Sequence, residues 1–377
     1  VVEEGGVISS VFKSCMGNRL GSTWNEIHES SFTPLIGDFI VQGENLSELN
    51  GFDVYHVANI NGTHTSELCG TEFRMSDAVD AYIAPLDDIY STKVVEHGNA
   101  GNLISCAKKE NHAALNIKPT VVIPILDGTL AELDTMLAFS QAGAKIEPFK
   151  IRSMTRDDVL ESIDELTKLV RGAQIIAIPD GVRNLSHQIS ILFRDSKLSA
   201  EIMKMLYDRD GLMLGIGSGF KALLELGLLP YGKILPEQIQ NGPTLTINLT
   251  PKHITTIAKI RIATNKTPWL SSHKLSEQFL VPVSHKEGRF VAPKQELEKL
   301  IKDGLIATQY VDSIGNATMT TPFNPNGSMY AIEGIISPDG KIFGKTGNSE
   351  RMGENLYKNI DGQIDMDLFK NGVMYFE

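Results

Sequence analysis

The residues with the clearest chemical potential lie where an apolar run turns directly into a helical pattern. Residues 214–220 read Leu-Gly-Ile-Gly-Ser-Gly-Phe. An abrupt strand-to-helix turn exposes the residue at its tip, and the helix N-terminus beyond it offers free N–H groups and partial positive charge. Hydrolases use this geometry as a nucleophile elbow, because it lowers the pKa of a thiol and presents backbone donors to an oxyanion. The tip residue here is Gly217, so the predicted elbow has no nucleophile.

The elements predicted around this elbow indicate an α/β fold. Between about residue 117 and residue 226, short apolar runs alternate with helical patterns, which favours a parallel sheet covered by helices on both faces. Thr155 and Asp158 form a predicted capping box before one of the helices. Beyond residue 227, shorter alternating segments follow without a linker, which indicates a mixed-sheet extension of the same domain.

The predicted strands cover residues 120–126, 145–151, 175–179, 212–216, 244–250, 256–263, 278–283, 305–311 and 330–336. The predicted helices cover residues 130–142, 197–207, 220–226 and 294–302, with a further helix after Thr155. The N-terminal part is less regular, and there we predict a strand at 36–42, a helix at 78–90 and a linker at 94–112.

Composition excludes several classes of function. The formal charge of -11 repels phosphate backbones, so nucleic-acid binding is not expected. No apolar run reaches membrane-spanning length, and the start of the chain has no signal-peptide pattern. The three cysteines are too few and too scattered for a disulfide framework or a zinc site. We therefore expect a cytoplasmic protein, and the missing initiator Met indicates a fragment or a trimmed chain.

The elbow and several other stretches resemble class I glutamine amidotransferase domains of the type fused to phosphoribosylformylglycinamidine synthase. Residues 215–222 read Gly-Ile-Gly-Ser-Gly-Phe-Lys-Ala, similar to the family's Gly-Ile-Cys-Asn-Gly-Phe-Gln-Ala. Residues 282–292 read Pro-Val-Ser-His-Lys-Glu-Gly-Arg-Phe-Val-Ala, which differs from the family pattern only at the lysine. Residues 323–328 and 331–335 also resemble family segments. The resemblance implies a flavodoxin-like amidotransferase sheet with helices on both faces.

The resemblance also implies that the catalytic residues are lost. The family cysteine falls on Gly217. The family closes its triad with a stretch like Gly-His-Ser-Glu-Arg, and residues 347–351 read Gly-Asn-Ser-Glu-Arg, so the histidine falls on Asn348 and only the orienting carboxylate, Glu350, is kept. An amide cannot take a proton from a thiol at neutral pH. Glutamine hydrolysis is therefore predicted to be absent.

Two further stretches depart from the family pattern. The oxyanion strand of the family ends in Gly-Gly-Phe-Ser, whereas residues 180–186 read Asp-Gly-Val-Arg-Asn-Leu-Ser. The first turn, Pro-Gly-Thr-Asn in the family, reads Leu-Asp-Gly-Thr-Leu at 126–130. An acidic residue in the oxyanion loop opposes the negative charge that develops in the transition state. The resemblance assigns these residues to the oxyanion site and pocket: Asp180, Gly181, Gly215, Ser218 and His285.

The N-terminal part is similar to the end of a synthetase half in the same family. Residues 5–21 and 33–41 resemble the tail of an aminoimidazole-ribonucleotide-synthetase-like domain, and residues 79–90 resemble the connecting segment. The implied organisation is a small α+β remnant at 1–45, a connecting segment and linker at 46–116, and the glutaminase-like domain at 117–377. ATP and Mg²⁺ would belong to the missing upstream half, so no cofactor and no metal is expected in this chain.

Individual polar residues also have alternative interpretations. Ser218 lies one residue past the tip and is interpreted as a helix cap rather than a nucleophile. His285 is interpreted as part of a structural loop, while Arg183 and His187 are interpreted as solvated surface. The glycines around Gly217 do not match a dinucleotide-binding fingerprint, yet their N–H groups could hold a small anion or carboxylate in the old glutamine pocket.

The prediction is a structural or ligand-sensing pseudoenzyme domain of a larger synthase-like ligase of purine biosynthesis. Its expected partner is the upstream synthetase half, in the same or a companion chain. A non-enzymatic scaffold or binding paralogue unrelated to purine synthesis is the alternative, and ATP- and metal-binding residues upstream would separate the two. An active glutaminase with Ser218 as nucleophile is the third hypothesis, and its base is not visible in the sequence.

Overall fold

The computed structural model describes residues 1–43, 49, 51–87, 100–104, 116–182, 184–353, 356–358 and 360–377. It divides into two compact units, Val1–Val94 and Val95–Glu377. Most of the predicted linker at 94–112, and Arg183, lie outside the described residues. The expected domain limits at 45 and 116 remain predictions. In the described part of the chain, no helix is long and apolar enough to cross a membrane.

The first unit contains a four-stranded sheet and two helices. In chain order its elements are α1 (Gly6–Met16), β1 (Gly21–Trp24), β2 (Ala58–Asn61), β3 (Thr65–Leu68), β4 (Thr71–Arg74) and α2 (Met75–Asp87). The strand order is β2-β1-β3-β4, and a small core forms around Val11, Cys15 and Met75. The strand predicted at 36–42 is wrong, because the segment pairs with no described strand. Ile36 is 98% exposed, and Phe39 and Val41 are exposed as well, whereas Ile40 packs against the small core.

The second unit is built on one nine-stranded sheet in the order β11-β10-β13-β14-β15-β8-β7-β5-β6. Its strands are β5 (Thr120–Ile125), β6 (Lys145–Lys150), β7 (Ile175–Ile178), β8 (Leu212–Ile216), β10 (Ile254–Ile262), β11 (Gln278–His285), β13 (Ile306–Tyr310), β14 (Ile332–Ile336) and β15 (Ile342–Lys345). β9 (Thr244–Thr246) and β12 (Arg289–Val291) form a separate two-stranded sheet.

The helices of this unit are α3 (Glu132–Gln141), α4 (Arg156–Gly172), α5 (Leu185–Phe193), α6 (Ser196–Tyr207), α7 (Ser218–Leu226), the short α8 (Leu228–Tyr231), α9 (Lys294–Lys302) and α10 (Leu368–Met374). The capping box before α4 is confirmed: the Thr155 hydroxyl accepts from the Asp158 N–H at 3.1 Å, and the Asp158 carboxylate accepts from the Thr155 N–H at 2.9 Å.

Half of the large sheet is parallel, and this half carries the elbow. β15, β8, β7, β5 and β6 pair in parallel, while β14, β13, β10 and β11 extend the sheet in antiparallel fashion. Every residue of β7 and β8 is buried, as expected where helices cover both faces. The α/β fold and the mixed-sheet extension are therefore confirmed, and the carboxyl ends of β7, β8 and β15 meet at one edge.

Candidate functional site

The elbow predicted at the end of β8 is present. β8 ends at Ile216, α7 begins at Ser218, and Gly217 between them has φ 55° and ψ -111°. This backbone conformation is costly for residues with a side chain. The Gly217 N–H donates to the carbonyl of Lys345 at 3.0 Å, which fixes the tip against the end of β15. The strained geometry of a nucleophile elbow is thus kept at a residue that has no functional group.

The glycines on either side of the tip allow α7 to approach the sheet closely. A Cβ atom on Gly219 would lie 2.1 Å from the carbonyl oxygen of Ile178 in β7. A Cβ atom on Gly215 would lie 2.7 Å from the carbonyl oxygen of Gly219. The spacing of the three glycines is therefore explained by strand–helix packing around the turn.

Asp180, two residues beyond the end of β7, reaches directly to the elbow. Its Oδ1 atom accepts hydrogen bonds from the backbone N–H of Ser218 at 2.9 Å and from that of Gly181 at 2.8 Å. A Cβ atom built on Gly217 would lie 2.3 Å from the same Oδ1. The acidic residue predicted to oppose an oxyanion is therefore itself bound by two converging backbone donors.

Ser218 is placed differently from its expected role as a helix cap. Its hydroxyl donates to the carbonyl of Gly181 at 2.7 Å, and the N-cap residue of α7 is Gly217, which has no side chain. The prediction that Ser218 caps α7 is therefore wrong. The hydroxyl donates to a carbonyl oxygen and so connects the loop that follows β7 to the elbow.

Asn348 links the elbow to Glu350. Its Nδ2 group donates to Oδ2 of Asp180 at 3.2 Å and to Oε1 of Glu350 at 2.9 Å. Burial raises the pKa of Glu350 to about 7; the hydrogen bond from Asn348 lowers it and the charge of Asp180 raises it further. Within the described structure, Oδ1 of Asn348 and Oε2 of Glu350 are buried and accept no hydrogen bond. The side-chain amide of Asn348 thus lies between two carboxyl groups.

The loop that carries Asn348 and Glu350 is anchored by a buried ion pair. Lys345 in β15 and Glu333 in β14 are both 0% exposed, with Nζ and Oε1 3.0 Å apart. The Lys345 ammonium also donates to the carbonyl of Gly347 at 3.1 Å and to the hydroxyl of Ser349 at 2.8 Å. Glu333 accepts from the N–H of Gly347 at 2.7 Å and from the hydroxyl of Thr308. Sequence reasoning missed this pair, although an acidic residue inside the apolar run of β14 was an available signal.

His285 lies at the end of β11. Its Nε2 atom accepts from the side-chain amide of Asn326 at 3.3 Å. Burial lowers the pKa of His285 to about 4, while the negative charge of Asp180 acts in the opposite direction. The ring is therefore neutral at physiological pH. A Cβ atom on Gly288 would lie 2.0 Å from the imidazole, so the ring is packed against the loop that follows β11.

The structure brings most of the predicted site residues together at one edge of the sheet. Direct hydrogen bonds join Asp180, Gly181, Ser218, Asn348 and Glu350, with Gly217 at their centre. Gly215 lies in β8 beneath α7, and His285 lies near enough for the charge of Asp180 to affect its pKa. In the described part of the second unit there is no cysteine, and among all described residues no group of three His, Cys, Asp or Glu side chains could hold a metal ion.

Three comparisons with known proteins found similarity. A family described as CobB/CobQ-like glutamine amidotransferase domain matches residues 118–376. The chain is 30% identical over 150 residues to the phosphoribosylformylglycinamidine synthase subunit PurQ of Aquifex aeolicus, a match covering 40% of this chain and 60% of that protein. It is 28% identical over 250 residues to the PurQ subunit of Chlorobium chlorochromatii, covering 65% and 93% respectively. The solved structure of PurLQS from Thermotoga maritima aligns with a TM-score of 0.48 and 20% identity, covering 69% of this chain and 100% of that one.

Proposed function

The chain belongs to the CobB/CobQ-like glutamine amidotransferase domain family, and on this basis we propose that its matching region is a glutaminase-like domain that does not hydrolyse glutamine. The observation that carries the proposal is the elbow, which keeps its backbone geometry while its tip is Gly217. Covalent catalysis of amide hydrolysis needs a nucleophile at that point and a base within hydrogen-bond reach of it. Gly217 has no atom that could attack a carbonyl carbon.

The position assigned to the base supports the same proposal. Asn348 directs its Nδ2 group at the carboxylates of Asp180 and Glu350, so it acts as a donor to both. A side-chain amide has no basic nitrogen that could accept a proton at neutral pH. Glu350, which would orient a histidine in the family, here orients an amide. The Ser218 hydroxyl donates its proton to the carbonyl oxygen of Gly181, a group that does not act as a general base at neutral pH.

The role that remains is structural. The relatives named above are subunits of phosphoribosylformylglycinamidine synthase, and we propose that this domain serves a synthetase part, in the same or a companion chain, by packing against it. ATP and Mg²⁺ would be bound by that part. A scaffold unrelated to purine synthesis is the competing proposal, and synthetase activity of the partner with free ammonia as nitrogen source would distinguish the two.

Glutamate release from glutamine by the purified chain tests the loss of hydrolysis. We expect no turnover by the parent and none by Ser218→Ala. Turnover by the parent that survives in Ser218→Ala would refute the proposal and require another nucleophile, and turnover abolished by Ser218→Ala would identify that hydroxyl.

A restored variant tests whether glutamine still fits the pocket. Gly217→Cys with Asn348→His places a thiol and an imidazole at the family positions, and Asp180→Gly is needed as well because Asp180 fills the space beside the tip. Turnover by this triple variant shows that the pocket still binds glutamine. Equal turnover by the variant that retains Asp180 would contradict the crowding at the tip.

A further inference from the structure

Two backbone donors from different elements converge on one point at the elbow. The Gly181 N–H follows β7, and the Ser218 N–H begins α7. Both point at the same oxygen, at 2.8 and 2.9 Å. Hydrolases stabilise an oxyanion with this kind of pair, the N–H of the residue after the nucleophile and an N–H from a neighbouring loop. The two N–H groups therefore form an anion site of this kind, although the tip residue Gly217 is not a nucleophile.

The occupant of this site is a carboxylate of the chain itself. Oδ1 of Asp180 receives both N–H groups, and Oδ2 receives the side-chain amide of Asn348 at 3.2 Å. The Cγ atom lies 2.4 Å from the position of a Cβ on Gly217, so the carboxylate fills the space that a tip side chain would take. Three donors from three separate segments surround the carboxylate as they would surround a bound ligand.

We propose that Asp180 is the internal ligand of an otherwise intact anion site, and that this site accepts small carboxylates from solution only when the Asp180 side chain is removed. The inference rests on the proposed function, because a working nucleophile at Gly217 could not share this space. The sequence predicts a small external anion at this point, whereas the proposal assigns the site to a carboxylate of the chain itself. The charge of Asp180 raises the pKa of Glu350, as expected for a carboxylate held close to it.

An attached ligand excludes a free one through its effective concentration. Even a flexibly linked group competes at an effective concentration of about millimolar, and a preorganised group competes at a far higher one. The apparent affinity for a free carboxylate is the affinity of the open site multiplied by the fraction of molecules whose site is open, and this fraction is small in the parent. Millimolar acetate should therefore leave the parent protein unchanged.

Acetate titration of ¹⁵N-labelled protein, with sodium chloride at equal ionic strength as the blank, tests the proposal. In Asp180→Gly we expect saturable shifts of the Gly181 and Ser218 amide signals and an acetate-dependent rise in Tm. In the parent we expect neither. Asp180→Asn is the matched control, because it removes the charge but retains a side chain of similar volume with an acceptor oxygen, and it should also give no response.

Two results would overturn the proposal. One is a saturable response of both amides in the parent at the same acetate concentrations as in Asp180→Gly. The other is a folded Asp180→Gly protein that does not respond to acetate.

A second variant covers the case in which the glycine variant does not fold. In Asp180→Asn, the amide proton signals of Gly181 and Ser218 should both move upfield relative to the parent, because a neutral amide oxygen is a weaker acceptor than a carboxylate. Amide signals that are the same in Asp180→Asn and in the parent would show that the contact is absent. Glutamine turnover by the parent would refute the proposed function, whereas the acetate titration and the amide shifts report on the internal ligand alone.

Discussion

Replacement of Lys345 by methionine should destabilise the second unit strongly. Lys345 and Glu333 are both 0% exposed, so Lys345→Met leaves the Glu333 carboxylate buried without its counter-charge. Breaking a buried pair by removing one partner costs about 3–5 kcal/mol. Glu333 retains donors from Gly347 and Thr308, which places the expected loss at the lower end, about 3 kcal/mol. At about 2–4 °C per kcal/mol for a domain near this size, Tm should fall by about 6–12 °C.

Thermal unfolding followed by circular dichroism or calorimetry measures this effect. Lys197→Met is the matched control, because it removes a lysine from an exposed pair whose Nζ lies 2.8 Å from Asp164, and its Tm should stay close to that of the parent. Lys345→Met combined with Glu333→Gln should recover part of the loss, since no uncompensated charge remains buried. If Lys345→Met unfolds at the same temperature as Lys197→Met, the buried pair does not anchor the loop as described.

Three further predictions concern the elbow and its surroundings. The pKa of Glu350 is raised from 4.5 to about 7, so its stabilising contribution is complete below pH 4.5 and is lost as the pH rises through 7. The Tm of the parent should therefore fall between pH 4.5 and pH 7, and the Tm of Glu350→Gln should fall less over the same range. The pKa of His285 is lowered from 6.5 to about 4, so its ring signals should titrate near pH 4 by NMR, and a midpoint near 6.5 would show that the ring is not buried as described. Gly219→Ala should lower stability in urea unfolding by about 1–3 kcal/mol, because its Cβ meets the carbonyl of Ile178 at 2.1 Å. Gly172→Ala, whose Cβ has no heavy atom within 4 Å, should not lower it.

The parallel half of the fold could be predicted from the sequence because buried strands are short apolar runs between helical patterns. β8 was placed correctly at both ends, and β7 to within one residue. β15 was missed because two of its four residues, Gly344 and Lys345, interrupt the apolar pattern. α5 was missed because its start was interpreted as part of an altered loop. The strand predicted at 36–42 followed an apolar run of which Ile36, Phe39 and Val41 are exposed in this structure.

The candidate site could be located from the sequence, but its internal contacts could not. The resemblance placed Gly217, Asn348 and Glu350 at one site, and the structure shows them close together. Asp180 was interpreted as a charge that opposes catalysis. The backbone donors that bind it depend on the relative positions of two loops from separate strands, and no local pattern encodes that distance. The ion pair between Lys345 and Glu333 could not be predicted either, because it joins two neighbouring strands and the sequence did not reveal the strand order.

The carboxylate beside the elbow also affects which evolutionary paths remain open to this protein. A single change of Gly217 to cysteine would place the new side chain about where Asp180 already lies, 2.3 Å from its Oδ1. A single change of Asp180 to glycine would leave two backbone donors unpaired and would supply no nucleophile. Each of these two changes, taken alone, thus lowers stability without adding activity. If the proposed function is right, single point mutations do not readily restore catalysis once it has been lost.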